Sequence, residues 1–233
     1  MERADRLELL ARGHLHVEGW VPESSNQALV LSVRAGGDEV LACYKAGRAE
    51  RALADFPPDL WRREVAAERL AACLGLDFVP ATVARDDGPL GPGSLQWWVE
   101  ATEDTFFTLR DDPAHRSTLM DLAAFDVVAN NADRKGGHVL FDGSHLYGID
   151  HGLCFHAHDK LRTVIWDYAG ERLDPLWAER LARLAGCDDL HEWLDPREVE
   201  ATLQRASSLA ASLVLPAPDL ERSWPPPYPW PLV

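Results

Sequence analysis

Two short stretches decide the fold: Asn130–His138, with the sequence NNADRKGGH, and Gly148–Gly152, with the sequence GIDHG. Between them, the dipeptide Asp142-Gly143 suits a tight turn between antiparallel strands, so the sequence predicts a hairpin there. The open ends of an antiparallel hairpin meet. We therefore expect His138 and Asp150 to be neighbours, within a few residues of register.

Asp133 and Lys135 lie on the loop that enters this hairpin. Phosphoryl transfer needs a carboxylate that orients the acceptor hydroxyl and a cation that stabilises the charge of the transferred group. It also needs ligands that hold a divalent ion against the phosphates. Asp133, Lys135 and the pair formed by Asp150 and His138 can supply these three functions, so the pattern favours this chemistry.

The amino-terminal part of the chain alternates apolar runs with turns. Runs at 15–20, 28–33 and 39–45 are separated by turns at 22–26 and 36–38, which predicts a three-stranded antiparallel meander.

A helix is predicted next, from about Asp59 to Leu74, because Pro57-Pro58 precedes an apolar stripe of helical period. Glu64 lies within that stripe. Two further strands are predicted at 78–85 and 95–102. The first hundred residues are therefore expected to form a sheet with one helix.

The second half of the sequence is mainly helical. Ser117 is the expected N-cap of a helix that runs to about Asn130. Asp174-Pro175 and Asp195-Pro196 each combine a capping residue with proline at the first helical position. The tail at 223–233 is typical of an extended polyproline-like segment, which either docks on the body or hangs free.

These motifs resemble those of the phosphatidylinositol 3-/4-kinase-like branch of the protein kinase-like superfamily, and of a bacterial family related to that branch. Asp133-x-Lys135-x-x-His138 is similar to the catalytic loop Asp-x-Lys-x-x-Asn. Asp150-x-Gly152 is similar to the Asp-x-Gly metal motif. The resemblance covers roughly residues 13–170.

The resemblance implies an α+β, two-lobed protein kinase-like fold. An N-lobe at 1–103 would hold an antiparallel sheet, one helix and the nucleotide site. A mainly helical C-lobe would span 104–222, followed by the proline-rich tail at 223–233. ATP and Mg²⁺ or Mn²⁺ would lie between the lobes. The implied reaction is phosphate transfer to a hydroxyl of an unknown protein or soluble small molecule.

The resemblance also implies roles for single residues. Lys45, at the end of the third strand, resembles the ATP-binding lysine, and Glu64 resembles its partner on the helix, although Glu68 can also take that place. Asp133 and Lys135 would be catalytic.

Further nucleotide contacts are expected from Ser24, Ser25 and Asn26, which stand where many kinases have a glycine-rich loop, and from Glu100 near the hinge.

Asp150 and His138 are the expected metal ligands. His138 stands where the family has asparagine, and imidazole nitrogen suits Mn²⁺, Co²⁺ or Zn²⁺ better than Mg²⁺. The alternative is that His138 points away and Asp150 alone holds Mg²⁺ through water molecules.

Composition excludes several other classes of protein. The 233 residues are 46% hydrophobic and 26% charged, which is typical of a globular protein. The net charge of −15 disfavours nucleic acid and stable membrane association. Four distant cysteines without a Cys-x-x-Cys motif signal neither a disulfide scaffold nor structural zinc, and the amino-terminal stretch lacks the apolar region of a secretory signal. We expect a cytoplasmic protein.

Two other functions remain open at this stage. The chain could be a catalytically silent scaffold that binds nucleotide and metal. It could also be a metal-dependent hydrolase that uses a cluster of histidines and one cysteine, comprising His138, His151, His156, His158 and Cys154.

Overall fold

The computed structural model describes residues 1–21, 27–221 and 226–233. The strands are β1 (His14–Trp20), β2 (Leu29–Ala35), β3 (Asp38–Ala46), β4 (Thr82–Arg85), β5 (Gly93–Trp97), β6 (Val139–Phe141) and β7 (Leu146–Gly148). Among the described residues, the first five form an antiparallel sheet in the order β1-β2-β3-β5-β4, and β6 pairs with β7. The predicted meander is therefore present.

The helices are α1 (Arg3–Arg12), α2 (Trp61–Leu74), α3 (Phe106–Leu109), α4 (Arg116–Ala129), α5 (Leu176–Arg183), α6 (Leu190–Trp193) and α7 (Pro196–Ser212). Short 3-10 turns connect several of them. Helices thus dominate the chain after β5, as the sequence predicts.

The sheet carries a helix on each face, and the expectation of one helix in this part of the chain is wrong. Leu9 and Leu10 of α1 are buried against one face, in a cluster that includes Tyr44 of β3. Because strand side chains alternate, the next residue of β3, Lys45, points to the opposite face, where α2 lies. The sequence of α1 is highly charged, so packing on the sheet stabilises it more than its own pattern does.

Helix α2 also packs on the helical half of the molecule. Its apolar stripe, which includes Ala67, Leu70 and Leu74, belongs to the same core cluster as α4, α5 and α7. The helix ends at Gly75, whose φ of 67° lies in the left-handed region that glycine tolerates. One helix therefore contacts both the sheet and the helical core.

Several boundaries differ from prediction, among them the end of β5, which lies at Trp97 and not at 102. β4 begins only at Thr82, because Pro80 has no amide hydrogen for a strand ladder. α4 begins at Arg116 with His115 as N-cap, so Ser117 lies inside the helix. By contrast, Asp195 caps α7 as predicted, accepting a hydrogen bond of 2.9 Å from the Arg197 amide.

The predicted hairpin is present, with Val139 opposite Gly148. Its turn is centred on Gly143 and Ser144 and not on Asp142-Gly143, because the Asp142 amide donates to the His145 carbonyl at 3.2 Å. The Asp142 carboxylate accepts hydrogen bonds of 2.8 Å from the amides of Ser144 and His145, which closes the turn through a side chain.

A disulfide joins Cys73 of α2 to Cys187, which follows α5, with 6.3 Å between the Cα atoms. The expectation that the cysteines signal no disulfide is therefore wrong. The two residues are 114 positions apart, and only the packing of α2 against the helical half brings them together. None of the described helices is long and apolar enough to cross a membrane.

The disulfide should be measurable as a redox-dependent stability. In urea unfolding, a reductant should lower the free energy of unfolding of the wild-type protein by about 2–5 kcal/mol, because the cross-link closes a long loop in the unfolded chain. Cys73→Ser should remove this difference, whereas Cys43→Ser, which changes a free thiol, should keep it. Equal stability of the wild-type protein with and without reductant would contradict the bond.

Candidate active site

The centre of the site is the ammonium group of Lys45, near the end of β3. It forms an ion pair with Glu64 of α2 and a second one of 2.7 Å with Oδ1 of Asp150. The predicted ion pair between Lys45 and Glu64 is thus present. Burial lowers the pKa of Lys45, but Asp150 and Glu64 together raise it well above its ordinary value, so the lysine stays charged.

Glu64 links this ion pair to the loop that follows β7. Its second oxygen accepts a hydrogen bond of 3.0 Å from the backbone amide of His151. Glu68, the other candidate partner of Lys45, instead pairs with Arg3 at 2.6 Å. Of the two glutamates, only Glu64 therefore contacts both Lys45 and the loop of Asp150.

Asp150 has an unusual backbone conformation, with a φ of 59°. This left-handed region is unfavourable for most residues other than glycine, and such conformations cluster at functional sites. The positive charge of Lys45 lowers the pKa of Asp150 strongly, against the effect of burial. The carboxylate is therefore ionised at any physiological pH.

Asp133 lines the same pocket as Asp150, and Lys135 pairs with Asp133. The Lys135 ammonium lies 3.3 Å from Oδ2 of Asp133, and both side chains are about one-fifth exposed. Burial raises the pKa of Asp133. The pocket formed by the described residues is about 170 Å³ and is lined by Lys45, Glu64, Asp133 and Asp150.

His138 lies beside Asp150, as the hairpin predicts. Its Nε2 is 3.3 Å from Oδ2 of Asp150, and its Nδ1 accepts a long hydrogen bond of 3.4 Å from the Lys135 amide. Burial lowers the pKa of His138 to about 4, so the ring is neutral near pH 7. The alternative in which His138 points away from Asp150 does not fit this geometry.

The donor set fits a divalent ion. Two ligands that meet at a right angle, each about 2.1 Å from an octahedral ion, are about 3.0 Å apart. Nε2 of His138 and Oδ2 of Asp150 are 3.3 Å apart and come from opposite ends of the hairpin. Carboxylate and neutral imidazole are both metal ligands, so the pair can hold one ion once the proton of the ring moves from Nε2 to Nδ1, which breaks the long hydrogen bond from the Lys135 amide.

Other predicted site residues lie elsewhere. Glu100 is exposed and lines a separate depression of about 650 Å³, together with Leu41 and Trp98. Ser24, Ser25 and Asn26 lie outside the described residues.

The histidine cluster does not assemble a metal site. His151 is buried and contacts Arg134 through Nε2 at 2.8 Å, whereas His156 and His158 pair with each other near the surface. Among the described residues, three potential ligands come together only at Cys73, Cys187 and Asp189, where the two cysteines form the disulfide. The structure therefore offers no support for a hydrolase built on these histidines.

A buried ion pair beneath the loop at 131–137 was not predicted from the sequence. Arg134 and Asp126 are both completely buried, and the guanidinium contacts both carboxylate oxygens at 2.9–3.3 Å. Arg134 also donates to the carbonyls of His138 at 3.2 Å and Ile149 at 2.7 Å. The only signal in the sequence is a carboxylate among apolar residues of α4.

Asn131 completes the support of Asp133. Its side-chain amide donates to Asp126 at 3.0 Å, and its carbonyl oxygen accepts a hydrogen bond of 2.9 Å from the Asp133 amide. The conformation of the loop at Asp133 is thus set by the same buried carboxylate that binds Arg134.

Removal of the buried guanidinium should be strongly destabilising. Arg134→Met leaves the charge of Asp126 buried without a partner, so we expect the free energy of unfolding to fall by about 3–5 kcal/mol. Arg110→Met is the matched control, because Arg110 forms an exposed pair of 2.8 Å with Asp167 and should contribute less than about 1 kcal/mol. Urea unfolding measures both. Similar losses in the two variants would show that Arg134 is not buried in solution.

Comparison with known proteins supports a common ancestry with a mycobacterial protein. The chain is 37% identical over 272 aligned positions to Protein Rv2133c of Mycobacterium tuberculosis (strain ATCC 25618 / H37Rv), with 98% of this chain and 96% of that protein covered. No family model matches the sequence.

Solved structures of kinases share the fold. Hydra Fam20 matches with a TM-score of 0.54 and 14% identity, covering 89% of this chain and 86% of its own. The Golgi casein kinase with Mn/ADP bound matches with a TM-score of 0.53 and 12% identity, covering 91% and 75%. The Helicobacter pylori proinflammatory kinase CtkA matches with a TM-score of 0.50 and 12% identity, covering 88% and 94%.

The α+β, protein kinase-like fold predicted from the sequence is thereby confirmed. The solved structures cover most of this chain at 12–14% identity, which shows a shared fold. The 37% identity to Protein Rv2133c shows common descent. The chain therefore has a protein kinase-like fold and belongs to the same family as Protein Rv2133c.

Proposed function

We propose that the chain is an ATP-dependent phosphotransferase, a kinase that transfers the γ-phosphate to a hydroxyl group. One observation carries the proposal: the ammonium of Lys45 binds carboxylates from two other segments, Glu64 and Asp150, in a pocket that also contains Asp133. A fixed cation beside a catalytic carboxylate and a metal-binding carboxylate is the set that phosphoryl transfer uses.

Lys45 would bind the α- and β-phosphates while Glu64 holds its side chain in place. Cys43 and Lys45 share one face of β3, because they are two residues apart on a strand. The nucleotide base would therefore lie nearer Cys43 and the segment that contains Glu100. Ser24, Ser25 and Asn26 are proposed to cover the phosphates.

Asp133 would orient the acceptor hydroxyl and accept its proton. The raised pKa of its carboxyl group brings its basicity closer to that task than an exposed aspartate would have. Lys135, at 3.3 Å from Asp133, would stabilise the negative charge of the transferred phosphoryl group.

Asp150 and His138 would hold a Mg²⁺ or Mn²⁺ ion, which would neutralise phosphate charge and orient the β- and γ-phosphates. Lys45, Asp133 and Lys135 would carry out the other steps of binding and transfer. We further propose that the site is of the phosphatidylinositol 3-/4-kinase-like type, since Asp133-x-Lys135 and Asp150-x-Gly152 follow that pattern. The acceptor would be a protein or a soluble small molecule.

Two substitutions separate nucleotide binding from catalysis. Lys45→Met should weaken ATP binding at least about tenfold, because it removes the cation that contacts the phosphates. Asp133→Asn should keep ATP and metal binding but abolish transfer of labelled γ-phosphate to acceptors in a cell extract, because Asp133 acts on the acceptor. Calorimetry measures binding, and autoradiography measures transfer.

Lys160→Met is the matched control for Lys45→Met, because Lys160 pairs with exposed Asp55 outside the pocket. It should bind ATP as the wild-type protein does. Unchanged ATP affinity in Lys45→Met would overturn the nucleotide site. If the wild-type protein binds ATP but transfers no phosphate, the scaffold function is indicated instead.

His138 should set the metal preference and the acid limit of binding. Mn²⁺ should support ATP binding better than Mg²⁺ in the wild-type protein, and His138→Asn should shift the preference toward Mg²⁺. The low pKa of His138, about 4, keeps its ring neutral, so Mn²⁺-dependent binding should persist from pH 7 to about 5 and weaken only as the pH approaches 4.

Calorimetric titrations measure the affinity for ATP with Mn²⁺ or Mg²⁺ across this pH range. An unchanged metal preference in His138→Asn would mean that the histidine is not a ligand. In that case the Lys135 amide keeps Nδ1 unprotonated, and Nε2 donates its proton to Asp150.

A further inference from the structure

The segment at 226–233 lies against the catalytic loop. The carbonyl oxygen of Leu232 accepts a hydrogen bond of 2.7 Å from the amide of Gly136, the residue that follows Lys135. The backbone of this segment is thus bound to the residue next to Lys135, a proposed catalytic residue.

A second contact point lies on the segment that pairs with the catalytic loop. Arg134 pairs in parallel with Thr163, through hydrogen bonds of 3.0 Å from Arg134 to Arg162 and from Val164 to Arg134. The amide of Thr163 itself points to the other side and donates to the Pro227 carbonyl at 3.2 Å.

The indole nitrogen of Trp166 donates to the same Pro227 carbonyl at 2.9 Å. Three donors, two from the backbone and one from a side chain, therefore hold the segment at two of its carbonyl oxygens, those of Pro227 and Leu232. We call these donors the donor strip; it consists of the amides of Gly136 and Thr163 and the indole of Trp166.

The donor strip suits a chain rich in proline. Four of the eight residues at 226–233 are proline, which has a carbonyl but no amide hydrogen. The other four residues are exposed, so water can bond to their amides.

Glycine allows the close approach. A methyl group on Gly136 would lie 3.3 Å from the Leu232 carbonyl oxygen and 2.6 Å from the ring of Phe107. At Gly137 it would lie 3.8 Å from a methyl group of Val233. The glycine pair between Lys135 and His138 therefore leaves room for another backbone beside the loop.

The side chains of the segment contribute little to this contact. Pro229 is buried, whereas Trp230 is 85% exposed and Val233 is 63% exposed. A contact made mainly through carbonyl oxygens does not depend on the identity of most side chains. The donor strip can accordingly accept other extended sequences.

We propose that the donor strip is a binding site for the backbone of an extended, proline-rich polypeptide, and that residues 226–233 compete with such a polypeptide for it. The segment contains no serine or threonine. It occupies the strip without presenting an aliphatic hydroxyl. On the basis of the proposed function, the acceptor is then a polypeptide and not a soluble small molecule.

The test compares Pro229→Asp with Pro231→Asp in the full chain. A carboxylate at the buried Pro229 should release the segment, because burial of a charge is unfavourable, whereas Pro231 is exposed and its variant should stay docked. Hydrogen exchange at the amides of Gly136 and Thr163 should be slow in the wild-type protein and in Pro231→Asp. It should be at least about tenfold faster in Pro229→Asp.

The second measurement adds a fluorescent peptide with the sequence PPYPWPLV. It should bind Pro229→Asp at least about tenfold more tightly than it binds the wild-type protein, since the tethered segment competes at high effective concentration. Trp166→Phe in the Pro229→Asp background should weaken this binding. Fast exchange at Gly136 in the wild-type protein, unchanged exchange in Pro229→Asp, or no peptide binding to that variant would each overturn the site.

Transfer of labelled γ-phosphate tests the acceptor class. A mixed-sequence peptide library containing serine and threonine should be labelled faster by Pro229→Asp than by the wild-type protein, and excess PPYPWPLV should inhibit the labelling. Labelling of glycerol or inositol but not of peptides would overturn a polypeptide acceptor. Peptide binding as expected without any transfer would leave the donor strip standing and overturn the proposed function instead.

Discussion

The buried guanidinium of Arg134 is the constraint on which the candidate site depends. Arginine cannot lose its charge inside a protein, so a completely buried one requires acceptors for its N–H groups. Those acceptors are Asp126 on α4, the carbonyls of His138 and Ile149, and the ring of His151. They bring three segments to the same point, namely α4, the start of the hairpin and the loop that follows it, and this fixes the loop at 131–137 against the hairpin and α4.

Helix α2 connects these loops to the sheet and to the helical half of the molecule. Glu64 contacts the strand through Lys45 and the hairpin loop through the His151 amide. One residue earlier, Arg63 pairs with Glu198 of α7 and donates to the Cys154 carbonyl at 3.1 Å. Because these contacts lie on the first turn of α2, any shift of the helix relative to the helical half would also move the side chains of the candidate site.

Local geometry explains what the sequence could predict. A hairpin brings its two ends together whatever surrounds it, so His138 and Asp150 were expected as neighbours, and a charge within an apolar stripe pointed to Glu64. The ion pair between Asp126 and Arg134 depends on how the loop after α4 folds back against the helix. Hydrophobic periodicity in the sequence does not predict such a contact. α1 was not predicted because half of its ten residues are charged, and packing on the sheet stabilises it.

The bond between Cys73 and Cys187 closes a covalent ring that contains much of the candidate site. Asp133 and Asp150 both lie within that ring, while Lys45 and Glu64 lie outside it on the amino-terminal side. A single protease cut anywhere between the two cysteines opens the ring but does not divide the molecule. The two fragments stay attached, and they separate only when the sulfur bridge is reduced.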